Sequence, residues 1–323
     1  MRVLSGIQSS GKLHIGNYFG MIKPMVDHQE NSDLFAFIAN YHALTSVFDA
    51  EKLREQTLNA AIDFLALGID PQKSTFWVQS DVPEVTELTW LLSNTTGMGL
   101  LERAHSYKDK VAKGIVANLG LFSYPVLMAA DILAFGSEKV PVGKDQKQHI
   151  EIARDIAIRF NTTYGETFVL PEEEIDENVA TIPGLDGLKM SKSYGNTIEI
   201  FTTEQELRKK VMSIKTDTTP VDEPKPIEGN ALFDLYSIFL DQKGKEELKE
   251  RFITPGLKYG EVKKELADVI WEYFAPYRER RQMFENDKGQ VLSILKDGAA
   301  KAKGTASQYL ELARKNAGLN YWD

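Results

Sequence analysis

Two short segments carry the residues best suited to chemistry on phosphate. Gln8-Ser9-Ser10-Gly11-Lys12-Leu13-His14-Ile15-Gly16-Asn17 lies between the apolar Val3-Leu4 and a helical pattern. Gly11 and Gly16 let backbone approach a ligand closely. The start of a helix offers N–H groups and a partial positive charge to phosphate oxygens, and His14 adds a side-chain donor. Lys189-Met190-Ser191-Lys192-Ser193 places two lysines around a Ser-containing loop. Lysine is a compact charge that can follow phosphate oxygens as they move, and a loop can close on substrate. Taken singly, the first segment also reads as a tight turn with a surface histidine, and the second as an exposed basic turn.

A third constellation is helical. Tyr124, Met128 and Asp131 lie at i, i+4 and i+7, on one face. Asp131 stands within Val126-Leu127-Met128-Ala129-Ala130-Asp131-Ile132-Leu133-Ala134-Phe135. A carboxylate on so apolar a face needs a partner, either a donor on a ligand or a cap or pair inside the protein. His42 follows the apolar run Leu34–Ala39 and is open to the same two readings, structural or beside a ligand.

The elements that would position these groups read as α/β. Val3-Leu4, Leu34–Ala39, Thr75–Val78 and Lys139–Val142 are short apolar runs, as expected of strands buried on both faces of a parallel sheet. Glu51–Leu67 repeats apolar residues at helical spacing, and another helix runs from Asp145 towards Phe160. Residues 81–135 read as a largely helical insertion, 171–200 as loop-rich, with acids at Glu172, Glu173, Glu174, Asp176 and Glu177. Pro220-Val221-Asp222-Glu223-Pro224-Lys225-Pro226 reads as a stiff linker. Helices are expected over Leu232–Leu240, Glu246–Phe252, Val262–Arg281 and Val291–Ala313. The expected layout is a doubly wound Rossmann-like domain, 1–200, containing the insertion and the 189–193 loop. An all-helical domain, 201–323, follows, its last helix returning to the first domain.

Composition excludes several classes. With no cysteine, disulfides and Cys-ligated metal sites are absent. The five histidines, at 14, 28, 42, 105 and 149, show no metal-ligand spacing, so no protein-held metal is expected. The net charge of −9 disfavours coating of nucleic acid by bulk charge. Residues 201–323 are nonetheless neutral, with 21 basic and 21 acidic side chains. Basic clusters occur there at Arg208-Lys209-Lys210, Arg278/Arg280/Arg281 and Lys301/Lys303. No apolar run approaches the ~20 residues of a membrane span, and Met1–Gly6 lacks a signal-peptide pattern. A cytoplasmic protein is expected.

His14-Ile15-Gly16-Asn17 followed by Lys189-Met190-Ser191-Lys192-Ser193 resembles the paired signatures of the class I aminoacyl-tRNA synthetases. Asn17 in the fourth position is common in their tryptophan and tyrosine branch. Gly6-Ile7-Gln8-Ser9-Ser10-Gly11, with Ser9 where the family usually has proline, is similar to the tryptophan-activating members. So are Asn40-Tyr41-His42-Ala43-Leu44-Thr45, Tyr124–Leu133 and Gly143–His149.

The resemblance implies activation of L-tryptophan by ATP with Mg²⁺, then transfer to tRNA. It implies catalytic roles for Lys192, Lys189, His14 and Ser191. ATP would meet Gln8, Ser10, Gly16, Asn17, Gly143, Asp145, Lys189, Met190 and Lys192. Tryptophan would meet Asp131, Met128, Tyr124, His42, Gln146 and Gln8. Indole donates through its N–H and has no polar acceptor, which suits Asp131; Met128 offers a polarizable contact to the ring. A homodimer is implied as well, and Trp90-Leu91-Leu92 is either a contact or part of a core helix. The alternatives are a tyrosine-activating enzyme, a small-molecule nucleotidyltransferase such as a pantothenate ligase, and a non-catalytic RNA-binding paralogue.

Overall fold

In the computed structural model, which describes residues 1–7, 11–104, 118–143, 146–175 and 182–321, five strands form one parallel sheet. They are β1 (Arg2–Ile7), β2 (Asp33–Ile38), β3 (Ser74–Val78), β4 (Lys139–Pro141) and β5 (Glu172–Glu174), in the order β3-β2-β1-β4-β5. The register pairs Val3 with Leu34 and with Lys139, Leu34 with Ser74, and Lys139 with Glu172. Every residue of β3, and all of β2 after Asp33, is buried, which is why both read as unbroken apolar runs. The strand order reverses between β1 and β4, the place where open α/β sheets bind ligands at their carboxyl ends.

The longer helices are α1 (Ala50–Ala66), α2 (Glu84–Ser93), α3 (Leu119–Leu133), α4 (Lys147–Tyr164), α5 (Glu204–Met212), α6 (Ala231–Ser237), α7 (Gln242–Ile253), α8 (Tyr259–Tyr273), α9 (Ala275–Asn286) and α10 (Lys288–Asn316). Most begin at a side chain that accepts otherwise orphaned N–H groups. Asp49 takes Glu51 and Lys52, Asn118 takes Leu121, and Asp287 takes Gln290.

Contacts divide the chain into two compact units, neither continuous in sequence. The first comprises Met1–Ser10, Met25–Asp176 and Phe284–Asp323; the second comprises Gly11–Pro24 and Glu177–Met283. In the first, the apolar faces of α2, α3, α4 and α10 share one core with Phe35, Phe37 and Trp77 of the sheet. Leu91 and Leu92 belong to that core, while Trp90 is 69% exposed. α10 presents small residues to β3. A Cβ on Gly298 would lie 1.8 Å from the carbonyl oxygen of Phe76, so the helix sits on the strand at backbone distance.

In the second unit α5 packs on α8, and Tyr18, Phe19, Phe239, Tyr273, Phe274 and Tyr277 form a cluster of largely edge-to-face rings.

Three expectations change. Glu172–Glu174, read as acidic loop, is a strand: Lys139 holds Glu172 at 2.5 Å, and Lys147 and Arg154 each stand 3.3 Å from Glu173. The proline-rich segment 220–226, read as a stiff linker, lies inside the second unit and is tied into it. Buried Lys225 donates to the carbonyls of Thr219, Pro220 and Glu223, and Lys263 to that of Ile214. The helix expected over Val262–Arg281 is two helices broken at Phe274, because Pro276 has no N–H to continue the ladder.

Candidate active site

The first glycine-flanked segment, from Gly11 on, and the lysine loop meet within the second unit. Leu13–Ile15 runs antiparallel to Ile198–Ile200: Ile15 N–H donates to Ile198 O, and Ile200 N–H to Leu13 O, both at 3.0 Å. A helical turn, Ile15–Asn17, starts there with His14 as its cap. Nδ1 of His14 accepts from the Asn17 N–H at 3.2 Å, and the Asn17 side chain accepts from the His14 N–H at 3.1 Å. This reciprocal cap is a physical reason for Asn in the fourth signature position.

His14 is only 5% exposed. Burial first, then the Lys192 ammonium, lower its pKa to about 4, against the opposing charge of Glu199. The ring is therefore neutral near pH 7, and with Nδ1 accepting, its proton resides on Nε2.

The lysine loop closes on this turn. Gly11 adopts φ +72°, and a Cβ there would lie 3.1 Å from Lys192 Nζ, so the ammonium rests against bare backbone. Partial burial holds Lys192 below the ordinary lysine range. Met190 is buried, and its sulfur accepts from the Gly16 N–H at 3.3 Å. The first N–H groups of the helix are thus satisfied by Ile198, Met190 and His14 in turn. Within this arrangement His14 Nε2–H and the lysine ammonium groups are donors that the helix start itself does not use.

Ser191 and Ser193 exchange a hydroxyl hydrogen bond at 2.8 Å, and the exposed Lys189 pairs in backbone with Pro183. Asn196, 3% exposed, organises the loop and was not picked out from sequence. It accepts from the Ser191 N–H and donates to Asp186 and to Lys189 O.

The first unit holds the helical constellation. Tyr124 and Met128 are half-buried on α3, and Asp131 is 2% exposed. Asp131 has protein partners: His42 Nε2 at 2.8 Å from Oδ2, and Gln79 Nε2 at 2.8 Å from both carboxylate oxygens. The Gln79 carbonyl in turn accepts from the Tyr41 N–H at 2.9 Å. Gln79, 1% exposed at the end of β3, was also missed. Its signal was an amide directly after the fully apolar Phe76-Trp77-Val78. A carboxylate accepts roughly four hydrogen bonds, so these three leave Asp131 capacity for one more donor.

The Tyr124 ring lies edge-on to His42 and His149, and burial raises its hydroxyl pKa to about 12. Beyond β4, Gly143 and Gln146 are exposed, with Gln146 N–H donating to Gly143 O. Gln8, Ser10 and Asp145 lie outside the described residues. Among the described residues, no three His, Asp or Glu side chains are grouped to hold a metal, and no helix is long and apolar enough to cross a membrane.

A parallel nucleotide-binding sheet, a capped His-Ile-Gly-Asn turn and a lysine loop closing on it define a class I aminoacyl-tRNA synthetase fold. Residues 1–275 match the family model for tRNA synthetases class I (W and Y), and the chain belongs to that family. It is 55% identical over 319 residues to the tryptophan–tRNA ligase of Campylobacter jejuni strain RM1221, covering 99% of this chain and 100% of that one. It is 54% identical to the Fusobacterium nucleatum tryptophan–tRNA ligase, covering 98% of each. The crystal structure of Campylobacter jejuni tryptophanyl-tRNA synthetase complexed with ADP and tryptophan superposes with a TM-score of 0.94, at 55% identity, covering 98% of this chain and 100% of that one.

Proposed function

We propose that this chain is a tryptophan–tRNA ligase. The tryptophan carboxylate attacks the α-phosphorus of ATP, pyrophosphate leaves, and tryptophanyl-adenylate forms. A ribose hydroxyl of the 3′-terminal adenosine of tRNA(Trp) then attacks the activated carbonyl and releases AMP. The observation that carries this reading is the neutral, capped His14 set with Lys192 against the Gly11–Gly16 turn, in a chain so close to named tryptophan–tRNA ligases.

No covalent enzyme intermediate is required, so catalysis is positioning and electrostatic stabilisation. Lys192, with Lys189, balances charge growing on the leaving pyrophosphate, and His14 donates Nε2–H to a phosphate oxygen. Ser191, Met190, Asn17 and Ser10 shape the ATP site, and Gly16 joins it when Met190 releases its N–H. Gly143 and Asp145 contact adenosine. Gln146, Gln8 and Tyr124 hold the amino acid's polar end. Asp131, steadied by His42 and Gln79, gives its remaining acceptor position to the indole N–H, with Met128 against the ring.

Mg²⁺ fits as part of the nucleotide substrate, since its preferred partners are phosphate oxygens and water and no resident cage stands among the described residues. It neutralises phosphate charge when bound. Residues 201–323 serve the tRNA anticodon region. The enzyme is a cytoplasmic homodimer, and exposed Trp90 is the dimer contact. Pyrophosphate exchange measured with tryptophan, tyrosine and phenylalanine tests the assignment. Exchange dependent on tryptophan is expected; exchange driven by tyrosine, or by none of the three, overturns it.

A further inference from the structure

The capped histidine is bordered by an ion pair that the steps above do not use. Glu199 lies in the extended segment whose backbone pairs with Leu13–Ile15 and forms a bridge with His14 itself. Its carboxylate is bound by Lys210 of α5, and the Thr197 hydroxyl donates to its other oxygen at 3.0 Å. The Lys210 ammonium also donates to Thr197 O at 3.0 Å. Burial pushes the Glu199 carboxyl up, but the hydrogen bonds from Lys210, backbone and Thr197 outweigh it and leave it below the usual carboxylate range. Lys210 therefore fixes both the charge and the place of the carboxylate on the residue that stands opposite His14 in the backbone bridge.

We propose that Lys210 is a positioning residue for the reaction: by pairing with Glu199 it keeps that carboxylate from charging the neighbouring His14, whose Nδ1 stays in the helix cap and whose proton stays on Nε2. Protonation of Nδ1 would remove the acceptor for Asn17 N–H, so the cap and a charged ring exclude each other. The charged groups acting on His14 are Lys192 from the loop, Glu199 from the extended segment and Lys210 from α5. The two lysines oppose protonation and Glu199 favours it. Removing Lys210 deletes one opposing charge and unmasks Glu199, so the ring protonates more readily. Removing Glu199 alone does the reverse. Removing both returns the balance near its starting point.

The inference rests on the proposed chemistry for its consequence in catalysis, but not for its test in the free protein. The measurement is the titration of the His14 ring by NMR of histidine-labelled protein, its signal assigned with His14→Asn. It is made on wild type, Lys210→Met, Glu199→Gln and the double variant. Wild type is expected to remain neutral down to pH 5, Lys210→Met to titrate about one pH unit higher, Glu199→Gln no higher than wild type, and the double variant near wild type. The acid limb of tryptophan-dependent exchange should move in step with these midpoints, with kcat affected more than KM.

A midpoint unchanged in Lys210→Met, or raised equally in the double variant, overturns the pairing. Should Lys210→Met fail to fold, the double variant against Glu199→Gln isolates the Lys210 charge; equal midpoints there overturn it too. If the midpoints move as stated but no amino acid supports exchange, the functional assignment fails and the pairing stands.

Discussion

Gly16 and Met190, 174 positions apart, are joined by a hydrogen bond from the glycine N–H to the methionine sulfur at 3.3 Å. A Cβ on Gly16 would meet Met190 Cβ at 3.2 Å and His14 Nδ1 at 3.1 Å. The signature turn and the lysine loop thus fit each other closely, and the thioether occupies an N–H suited to an anion. Thioether sulfur is a weak acceptor, so this bond holds the Gly16 N–H only lightly.

Lys192→Ala should lower kcat for adenylate formation by ~10²–10³, the usual loss for one contact to charge that develops in the transition state. Tryptophan affinity should change far less. Single-turnover kinetics over a tryptophan series separates the two. Unchanged kcat with weakened affinity would remove Lys192 from the chemical step.

Asp131 accepts from both Gln79 and His42, so Asp131→Ala should cost stability as well as specificity. Orphaning two polar groups at that depth is expected to destabilise by about 2–4 kcal/mol, read by urea unfolding. In the folded fraction, kcat/KM for tryptophan should fall and the preference over phenylalanine should narrow. Asp131→Asn separates the effects, because its amide keeps shape and one acceptor. A tryptophan-to-phenylalanine ratio unmoved in both variants would make Asp131 purely structural.

His14 makes stability depend on pH. Its ordinary pKa of 6.5 falls to about 4 in the folded chain, so between these values the unfolded chain binds more protons. Stability is then fully present above pH 6.5 and declines as pH falls towards 4, by about 3 kcal/mol at most. His14→Asn can still cap a helix but cannot titrate. Urea unfolding at pH 5 and 7.5 should show a smaller difference for this variant than for wild type. Equal differences would refute the linkage.

Gly298→Ala reverses the usual effect of replacing a mid-helix glycine, which stabilises by about 0.5–1 kcal/mol. The new methyl collides with Phe76 backbone, so a loss of about 3 kcal/mol is expected. Thermal unfolding checks the sign, and Gly304→Ala, with open space around it, is the control. A stabilised Gly298→Ala would contradict the close seating of α10.

The arginines of α9 are each placed over a ring: Arg278 over Trp271, Arg280 over Tyr277 and Arg281 over Phe201. Arg278 also donates to Trp271 O at 2.6 Å, which commits it to structure. The Arg280→Gln/Arg281→Gln variant should weaken tRNA charging and lower its salt dependence by roughly one unit of slope per lost phosphate contact. Exchange, which uses no tRNA, should persist. Unaltered charging and salt response would leave these arginines as a solvated helix face.

Strands β1 to β4 were legible because buried parallel strands are written in apolar residues, and the meeting of the His14 turn with the Lys192 loop because both segments are written in glycines and basic side chains. β5 was not, since three glutamates form a strand only where Lys139, Lys147 and Arg154 are brought to them by the fold. Gln79 and Asn196 escaped for a related reason. A side-chain amide acquires its role from partners distant in sequence, as Gln79 does from Asp131, 52 positions on. The same distance effect left Asp131 open between ligand and protein partners, and it hid the capture of Gly16 by Met190.

The seating of α10 on β3 has a bearing on how the protein comes into being. β3 is an edge strand of the sheet, made early in synthesis, whereas Gly298 and the alanines that cover it follow more than 200 residues later. Until then the growing chain has an apolar edge strand that is paired on one side only and lacks its cover, the kind of edge that recruits other strands. The first unit cannot complete its core until the whole second unit has been made, because its last part follows that unit in sequence. The interval before α10 is made is when the chain most needs a chaperone.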